Sequence, residues 1–559
     1  MRSTHQLAMT RLWQFLPENI PFDDRVELSY ERCRSIVQHF NLTVDDVLNI
    51  TPKYWELHND PLFFMDGAAL TLMTIHYNLC IGTLAMYLDH RPDLKEIIDR
   101  LLSFEWNGQF CLTELGHGLD IINMETTASL LPNGEFEINT PVARAAKFMT
   151  PTCPSGMPCV SIVHARLFVE EKDHGPKVFL VKLHDGKEMS QGIVSKVLHP
   201  RGGSRPMKHC LTYFNHVRVP TTALLGSLER PKDTRAAFFF NISRVVAGTL
   251  GMGAVGILGM RISSYIAAKY SQRRRVVDAS TKQPREIISF VTQYTPILST
   301  IAQTFVLENL GEVIRDMYVA AKSFTTKHLI AAIFKATVVK ISATALPLLG
   351  LRCGAQGLFE ANQISVLTAD MRGATIAEGD VLGLSIRFAI ELLLGRLSSP
   401  PTRFPKSLLY SHEEGLLMEL RTKIASFSDH RSALAERALL PHCQSLIEAI
   451  GLRLAYDSAR EHDIDTDILD MFVASAIASD ASWYLENTDL TREKQIEMED
   501  NAASTLFPRL EDLIERLDVE PYVVAPIVSD KRWKRYVESL ETHGGDSIVF
   551  DSQEFQSKL

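Results

Sequence analysis

The hydrophobic period changes twice along this chain, and that order of periods excludes most architectures. From Pro21 to about Phe104 apolar residues recur at helical spacing, as in Leu70-Thr71-Leu72-Met73-Thr74-Ile75 and the run from Leu79 to Leu88. Strand signals then take over. Thr126 to Leu131, the turn Pro132-Asn133-Gly134 and the alternating Glu135-Phe136-Glu137-Ile138-Asn139 spell a hairpin, because Asn-Gly supplies the positive φ angles of a tight turn. Cys159 to Val169 and Lys177 to Leu183 are rich in β-branched and aromatic residues, separated by Asp173-His174-Gly175-Pro176 and closed by Asp185-Gly186. Beyond Gly226 the helical period returns until about Leu397, where Ser398-Ser399-Pro400-Pro401 and Phe404-Pro405 cannot continue a helix. The remainder is helical again, with Leu417, Leu420, Ile424 and Phe427 on one face of a single helix, and it ends in a polar tail from Thr542.

These changes divide the chain into a helical block over 1–105, a small β domain over 106–226, a helical bundle over 227–400 and a second helical block over 401–559. The expected fold is mainly α with a small antiparallel, barrel-like β domain. No regular β-α alternation suggests a doubly wound sheet. At 559 residues the chain can bury a large cofactor between such domains.

Charge and cysteine usage narrow the partners. A net charge of -9 argues against nucleic acid or an anionic membrane as the main partner. Eight scattered cysteines without CxxC spacing read as free thiols in a reducing compartment, with neither a disulfide framework nor a metal site. The amino terminus lacks the apolar core of a secretory signal. The uncharged, apolar stretch from Val245 to Met260 is too short and glycine-rich to span a membrane, so a buried core helix is expected. The terminal Ser557-Lys558-Leu559 reads as an address for the peroxisomal import receptor.

Several motifs resemble known sites but lack their context. Gly251-Met252-Gly253-Ala254-Val255-Gly256 satisfies the dinucleotide-binding string, yet no strand precedes it, and small residues at this spacing also let helices approach closely. Asp463-Ile464-Asp465-Thr466-Asp467 begins like a calcium loop but lacks its glycine and closing glutamate, which leaves an acidic turn with Asp467 capping a helix. Neither a GxSxG elbow nor an HExxH pair occurs, so hydrolase chemistry loses its usual support. Arg273-Arg274-Arg275 reads as a solvated helix end or as a clamp for pyrophosphate.

Taken in order, other segments resemble the acyl-CoA oxidase and dehydrogenase superfamily, and acyl-CoA oxidases in particular. Cys111-Leu112-Thr113-Glu114-Leu115-Gly116-His117-Gly118, Met124-Glu125-Thr126-Thr127-Ala128 and Asn139-Thr140-Pro141 are similar to the oxidase signature. Phe214 to Pro220 resembles the strand leaving the β domain, and Tyr270-Ser271-Gln272-Arg273-Arg274 the end of a long helix. Cys353-Gly354-Ala355-Gln356-Gly357 is similar to the family's glycine loop, and Thr375-Ile376-Ala377-Glu378-Gly379-Asp380 to its T-x-E-G segment. The resemblance implies FAD as cofactor, with Thr113 at the flavin, Arg274 at the pyrophosphate, and Gln356 and Gly357 at a cofactor across a homodimer interface. It also implies Glu378 as catalytic base and Arg244 beside the substrate. Gly156 stands for the flavin-contacting glycine, because the tryptophan and paired glycines usual after Lys147 are absent.

The implied reaction oxidises an acyl-CoA to its trans-2-enoyl-CoA and returns electrons to O2 as H2O2. Removing the thioester's α-proton needs a carboxylate against the carbon, and the β-hydrogen leaves as hydride, which no side chain can accept. Burial under an acyl chain should raise Glu378, and a nearby Asp380 would add to this. Val381, Arg387 and Gln356 also depart from the usual residues, pointing to an unusual acyl substrate. Two other readings stay open: a dehydrogenase that uses a protein acceptor, and a flavin-free acyl-CoA-binding relative.

Overall fold

The computed structural model describes residues 2–545, so Ser557, Lys558 and Leu559 lie outside the described residues. The amino-terminal block is helical, with α1 (Phe22–Phe40) packed on the helix Gly67–Met73. A buried ion pair fastens them: Arg32 meets Asp66 at 3.0 Å, and Asp66 also accepts from the backbone of Ala68 and Ala69 to cap the second helix. That helix widens over Thr74–Ile81 into a π-helix, a form with i→i+5 hydrogen bonds that concentrates at functional sites.

Nine strands follow: β1 (Asn107–Cys111), β2 (Thr127–Leu130), β3 (Phe136–Asn139), β4 (Lys147–Phe148), β5 (Cys159–Val169), β6 (Lys172–His184), β7 (Ile193–Val197), β8 (Cys210–Phe214) and β9 (Val217–Val219). The larger sheet runs β1-β5-β2-β3-β9 with β6 on β5, and the smaller β4-β8-β7. The Asn133-Gly134 hairpin forms as expected, with Leu130 opposite Phe136 and Gly134 at φ +88°. The sheet is mixed rather than purely antiparallel, because β5 runs parallel to both β1 and β2 after the long connection that contains the hairpin. The expected turn at Asp173-His174-Gly175-Pro176 lies instead at Glu170-Glu171, both at positive φ, and β6 runs through Pro176. Proline is tolerated there because, at Pro176, β6 pairs with β5 on one side and with no strand on the other among the described residues.

The helical bundle comprises α2 (Ser243–Arg273), α3 (Val291–Ala320), α4 (Phe324–Arg352), α5 (Ile364–Ile376) and α6 (Val381–Leu393). A short hairpin of β10 (Arg275–Val277) and β11 (Pro284–Glu286), which the helical period did not announce, separates α2 from α3. The Gly251 to Gly256 string lies inside α2 and packs helices. A Cβ at Gly253 would meet the Phe334 ring and the Lys335 backbone, and one at Gly256 would meet Val338 and Ser342, all on α4. By length and composition α2, α4 and Gly67–Ala85 could each cross a membrane, yet 94%, 78% and 89% of their most apolar windows are buried inside the protein.

The last block contains α7 (Leu408–Ala425), α8 (Ala433–Glu461) and α9 (Thr466–Ser479). Phe427 falls beyond the end of α7 yet still packs on the core. Asp465, not Asp467, caps α9, and both carboxylates hold Arg509. The proline-rich break after Leu397 is anchored by Arg453 of α8. Its guanidinium donates to Pro400 O at 2.6 Å and to Pro401 O at 3.4 Å, and it pairs with buried Glu413 of α7 at 2.6 Å. Removing one partner of such a pair leaves the other charge buried alone. Glu413→Leu should therefore cost roughly 3–5 kcal/mol in chemical denaturation, whereas Asp99→Asn, in the exposed Lys95–Asp99 pair, should cost about 0.5 kcal/mol or less.

Candidate active site

Glu378 sits between the end of α5 and the start of α6, and three consecutive carbonyls fix its backbone. Buried Lys335 of α4 donates from Nζ to Ala377 O and Gly379 O, both at 2.6 Å. Thr249 of α2 donates to Glu378 O at 2.6 Å, and Asp380 caps α6 by accepting from Gly383 N. Glu378 is held at φ +53° and Gly379 at φ +99°. A non-glycine residue occupies that region at a cost, and here the surrounding donors impose it.

The carboxylate points onto α2 at Gly248, and its Oε2 stands where a Cβ on that residue would have to be. Asn78 of the π-helix donates to Oε2 at 2.9 Å and to Arg244 O at 2.9 Å. Arg244 returns donors to both oxygens of Asn78 and reaches Val47 O and Leu48 O. Only 5% exposed and committed to protein acceptors, Arg244 is placed to orient Asn78 rather than to meet a substrate directly. Burial pushes the Glu378 carboxyl up to about 8, against the opposing pull of Lys335, Asn78 and Arg244.

Thr113 follows β1. Its carbonyl accepts from Phe148 N, while its hydroxyl makes no hydrogen bond among the described residues. The same loop reaches α6, where a Cβ on Gly383 would lie 3.7 Å from Leu119, so Thr113 belongs to the side of the fold that carries Glu378. Much of the surrounding motif is structural. Buried Glu114 pairs with buried Lys147 at 3.0 Å and accepts from the backbone of Glu125 and Thr126. Gly156 donates its N–H to Gly186 O, and the hydroxyls of Thr150 and Thr152 bond Phe110 O and the Ser195 and Thr212 hydroxyls. This stretch therefore turns many of its donors inward.

Arg274 is elsewhere. It follows the last residue of α2, about 26 residues and roughly 39 Å along the helix axis from Gly248. There it neighbours the glycine loop, because Gln293 Nε2 donates to Ser271 Oγ of α2 and to Arg352 O of α4, both at 2.8 Å. Gln356 accepts from Asn362, while Gly357 presses against Gly350 O, an approach that a side chain would block. The predicted residues thus form two half-sites at opposite ends of α2, one with Glu378, Arg244 and Thr113, the other with Arg274, Gln356 and Gly357.

Lys335, Asn78, Thr249 and Gly248 escaped the sequence reading. The only signal for the first was a lysine inside the apolar run of α4, and for Gly248 a glycine in α2 at the helix-packing spacing.

Residues 251–393 match the family model of the acyl-CoA oxidase C-alpha1 domain. Among curated proteins, human peroxisomal acyl-coenzyme A oxidase 3 is 25% identical over 300 residues, covering 51% of this chain and 42% of the relative. Peroxisomal acyl-coenzyme A oxidase 1 of Arabidopsis thaliana is 27% identical over 310 residues, covering 50% and 46%. The chain thus spans less than half the length of these relatives. Among solved structures, acyl-CoA oxidase 1 of Yarrowia lipolytica superposes with a TM-score of 0.82 at 16% identity, over 99% of this chain and 91% of that one. Acyl-CoA oxidase-1 of Caenorhabditis elegans, complexed with FAD and ATP, gives 0.78 at 17% identity over 100% and 93%.

The raised Glu378 has a consequence for stability. Between the ordinary value of 4.5 and about 8 the folded carboxyl retains a proton that the unfolded chain has lost, so its contribution to stability falls as pH rises through that window. The Tm advantage of Glu378→Gln over wild type should grow from about pH 5 to about pH 8, and a difference independent of pH would contradict this assignment.

The matched segment, the curated relatives and the fold all make the chain similar to acyl-CoA oxidases.

Proposed function

We propose that the protein is an FAD-dependent acyl-CoA oxidase in which Glu378 removes the α-proton of the acyl thioester. The observation that carries this is the enclosed carboxylate itself: it rests on a glycine face, one oxygen is held by Asn78, and burial raises it to about 8. A base poised near neutral pH combines a useful ionised fraction with affinity for the proton. Gly248 removes the side chain that would stand between carboxylate and helix, and Arg244 orients Asn78, which holds the carboxylate.

Thr113 offers an unengaged hydroxyl beside the Glu378 half-site, Gly354 leaves open space at the other, and both fit a bound dinucleotide. We assign Thr113 to the flavin end of FAD, and Arg274 with the Gln356-Gly357 loop to its phosphates and adenine end. Bound FAD supplies the hydride acceptor and the centre at which O2 is reduced to H2O2. The inward-turned donors around Gly156 leave fewer protein contacts on the β-domain side.

Two half-sites at opposite ends of one helix are too far apart for one dinucleotide, which supports a homodimer with each cofactor held by both copies. Exposed apolar side chains flank both: Leu119, Ile376 and Leu382 near Glu378, and Leu351, Leu358 and Phe359 near the glycine loop. A twofold contact would cover both sets at once. The peroxisomal names of the human and Arabidopsis relatives support the same location for this protein.

Acyl-CoA esters should bleach the flavin of the purified protein under nitrogen, and admitting air should release peroxide. Glu378→Gln should slow bleaching by about 100-fold or more while the flavin stays bound. Wild-type bleaching rates in that variant would remove the base. Bleaching without peroxide would identify a dehydrogenase, and a colourless protein that takes up no FAD would identify the binding-only relative.

A further inference from the structure

The assignment of Glu378 as base leaves unexplained how an enclosed carboxyl is held in a strained turn and still ionises within reach of neutral pH, and Lys335 bears on both. It lies in the middle of α4, is fully buried, and has no carboxylate within ion-pair distance among the described residues. Its Nζ bridges the carbonyls on either side of Glu378, at distances short even for charge-assisted hydrogen bonds. It reaches them because Gly253 of α2 lets α4 come close: a Cβ there would lie 3.3 Å from the Lys335 Cα and closer still to Phe334.

We propose that Lys335 is a positioning residue for the base: its ammonium locks the Ala377–Gly379 turn so that Glu378 projects over Gly248, and it supplies the positive charge that balances the ionised carboxylate. The proposal rests on the reading of Glu378 as base. Free of the bridge, the turn would relax from φ +53° toward the β or α regions and carry the carboxylate off the glycine face. Other groups near the carboxylate are Arg244 of α2, Asn78 of the π-helix, Tyr54 of the helix Pro52–His58, and Asp380 beyond the turn. Arg244 is the other cation, but its donors are committed to Asn78, Val47 and Leu48. Burial pushes Lys335 down to about 7, and the charges of Glu378 and Asp380 oppose that shift.

The test is the pH dependence of anaerobic flavin bleaching in the FAD-loaded protein. Lys335→Met should move the midpoint alkaline by about one pH unit or more, because an opposite charge that favours ionisation is gone. It should also cut the plateau rate by about 10- to 100-fold as the carboxylate is misplaced. Lys335→Gln retains a donor for the turn but no charge, so it should show the same alkaline shift with a smaller loss of rate. Lys335→Arg should keep the midpoint near wild type. If Met fails to fold, Gln and Arg carry the test. Unchanged midpoints and rates in Met and Gln would overturn the proposal while leaving Glu378 as base. Wild-type bleaching by Glu378→Gln would instead overturn the reading beneath it.

Discussion

The close approach of α2 and α4 is the contact on which the candidate site depends. Helices meet this tightly only where one side lacks side chains, and α2 supplies that through Gly253 and Gly256 against Phe334, Lys335, Val338 and Ser342. One consequence is apolar: two long helices bury nearly continuous hydrophobic surface and form the centre of the core. The other is polar. The same approach brings Lys335 under the α5–α6 turn, and Gly248, one turn and a half earlier, gives the Glu378 carboxylate its resting place. The glycine string that imitates a nucleotide-binding motif thus builds the site indirectly, by what it lets approach.

Around that contact, burial and hydrogen bonding pull the Glu378 carboxyl in opposite directions. Enclosure raises Glu378, whereas Lys335, Asn78 and Arg244 favour its ionised form, so the carboxylate stays within reach of neutral pH. The widened Thr74–Ile81 helix belongs to the same balance, since it carries Asn78 and is tied to α2 through Arg244. A change in the spacing of either helix would alter the Glu378 carboxyl without touching it.

The helix and strand order was legible in the sequence because it rests on period and on strong local signals such as Asn133-Gly134. Glu378 stood out by resemblance and Gly248 only as one glycine among several. What the sequence hid are effects of geometry. The β5–β6 turn falls at Glu170-Glu171 because two ordinary residues accept positive φ, where Gly175-Pro176 carried the stronger turn signal. Parallel pairing of β5 with β1 and β2 depends on long-range register, which no local pattern encodes. Arg244 looked like a substrate group until its donors were found committed to the protein. Arg274 and Glu378 looked like parts of one site until the length of α2 separated them.

The most direct test of the account is a single methyl group. Gly248→Ala adds a Cβ where the Glu378 Oε2 now lies, while alanine is otherwise favoured over glycine inside a helix by about 1 kcal/mol. The account predicts a folded, flavin-binding protein whose anaerobic bleaching by acyl-CoA is slowed by about 100-fold, as expected for a misplaced reacting group. Bleaching at the wild-type rate in that variant would contradict it.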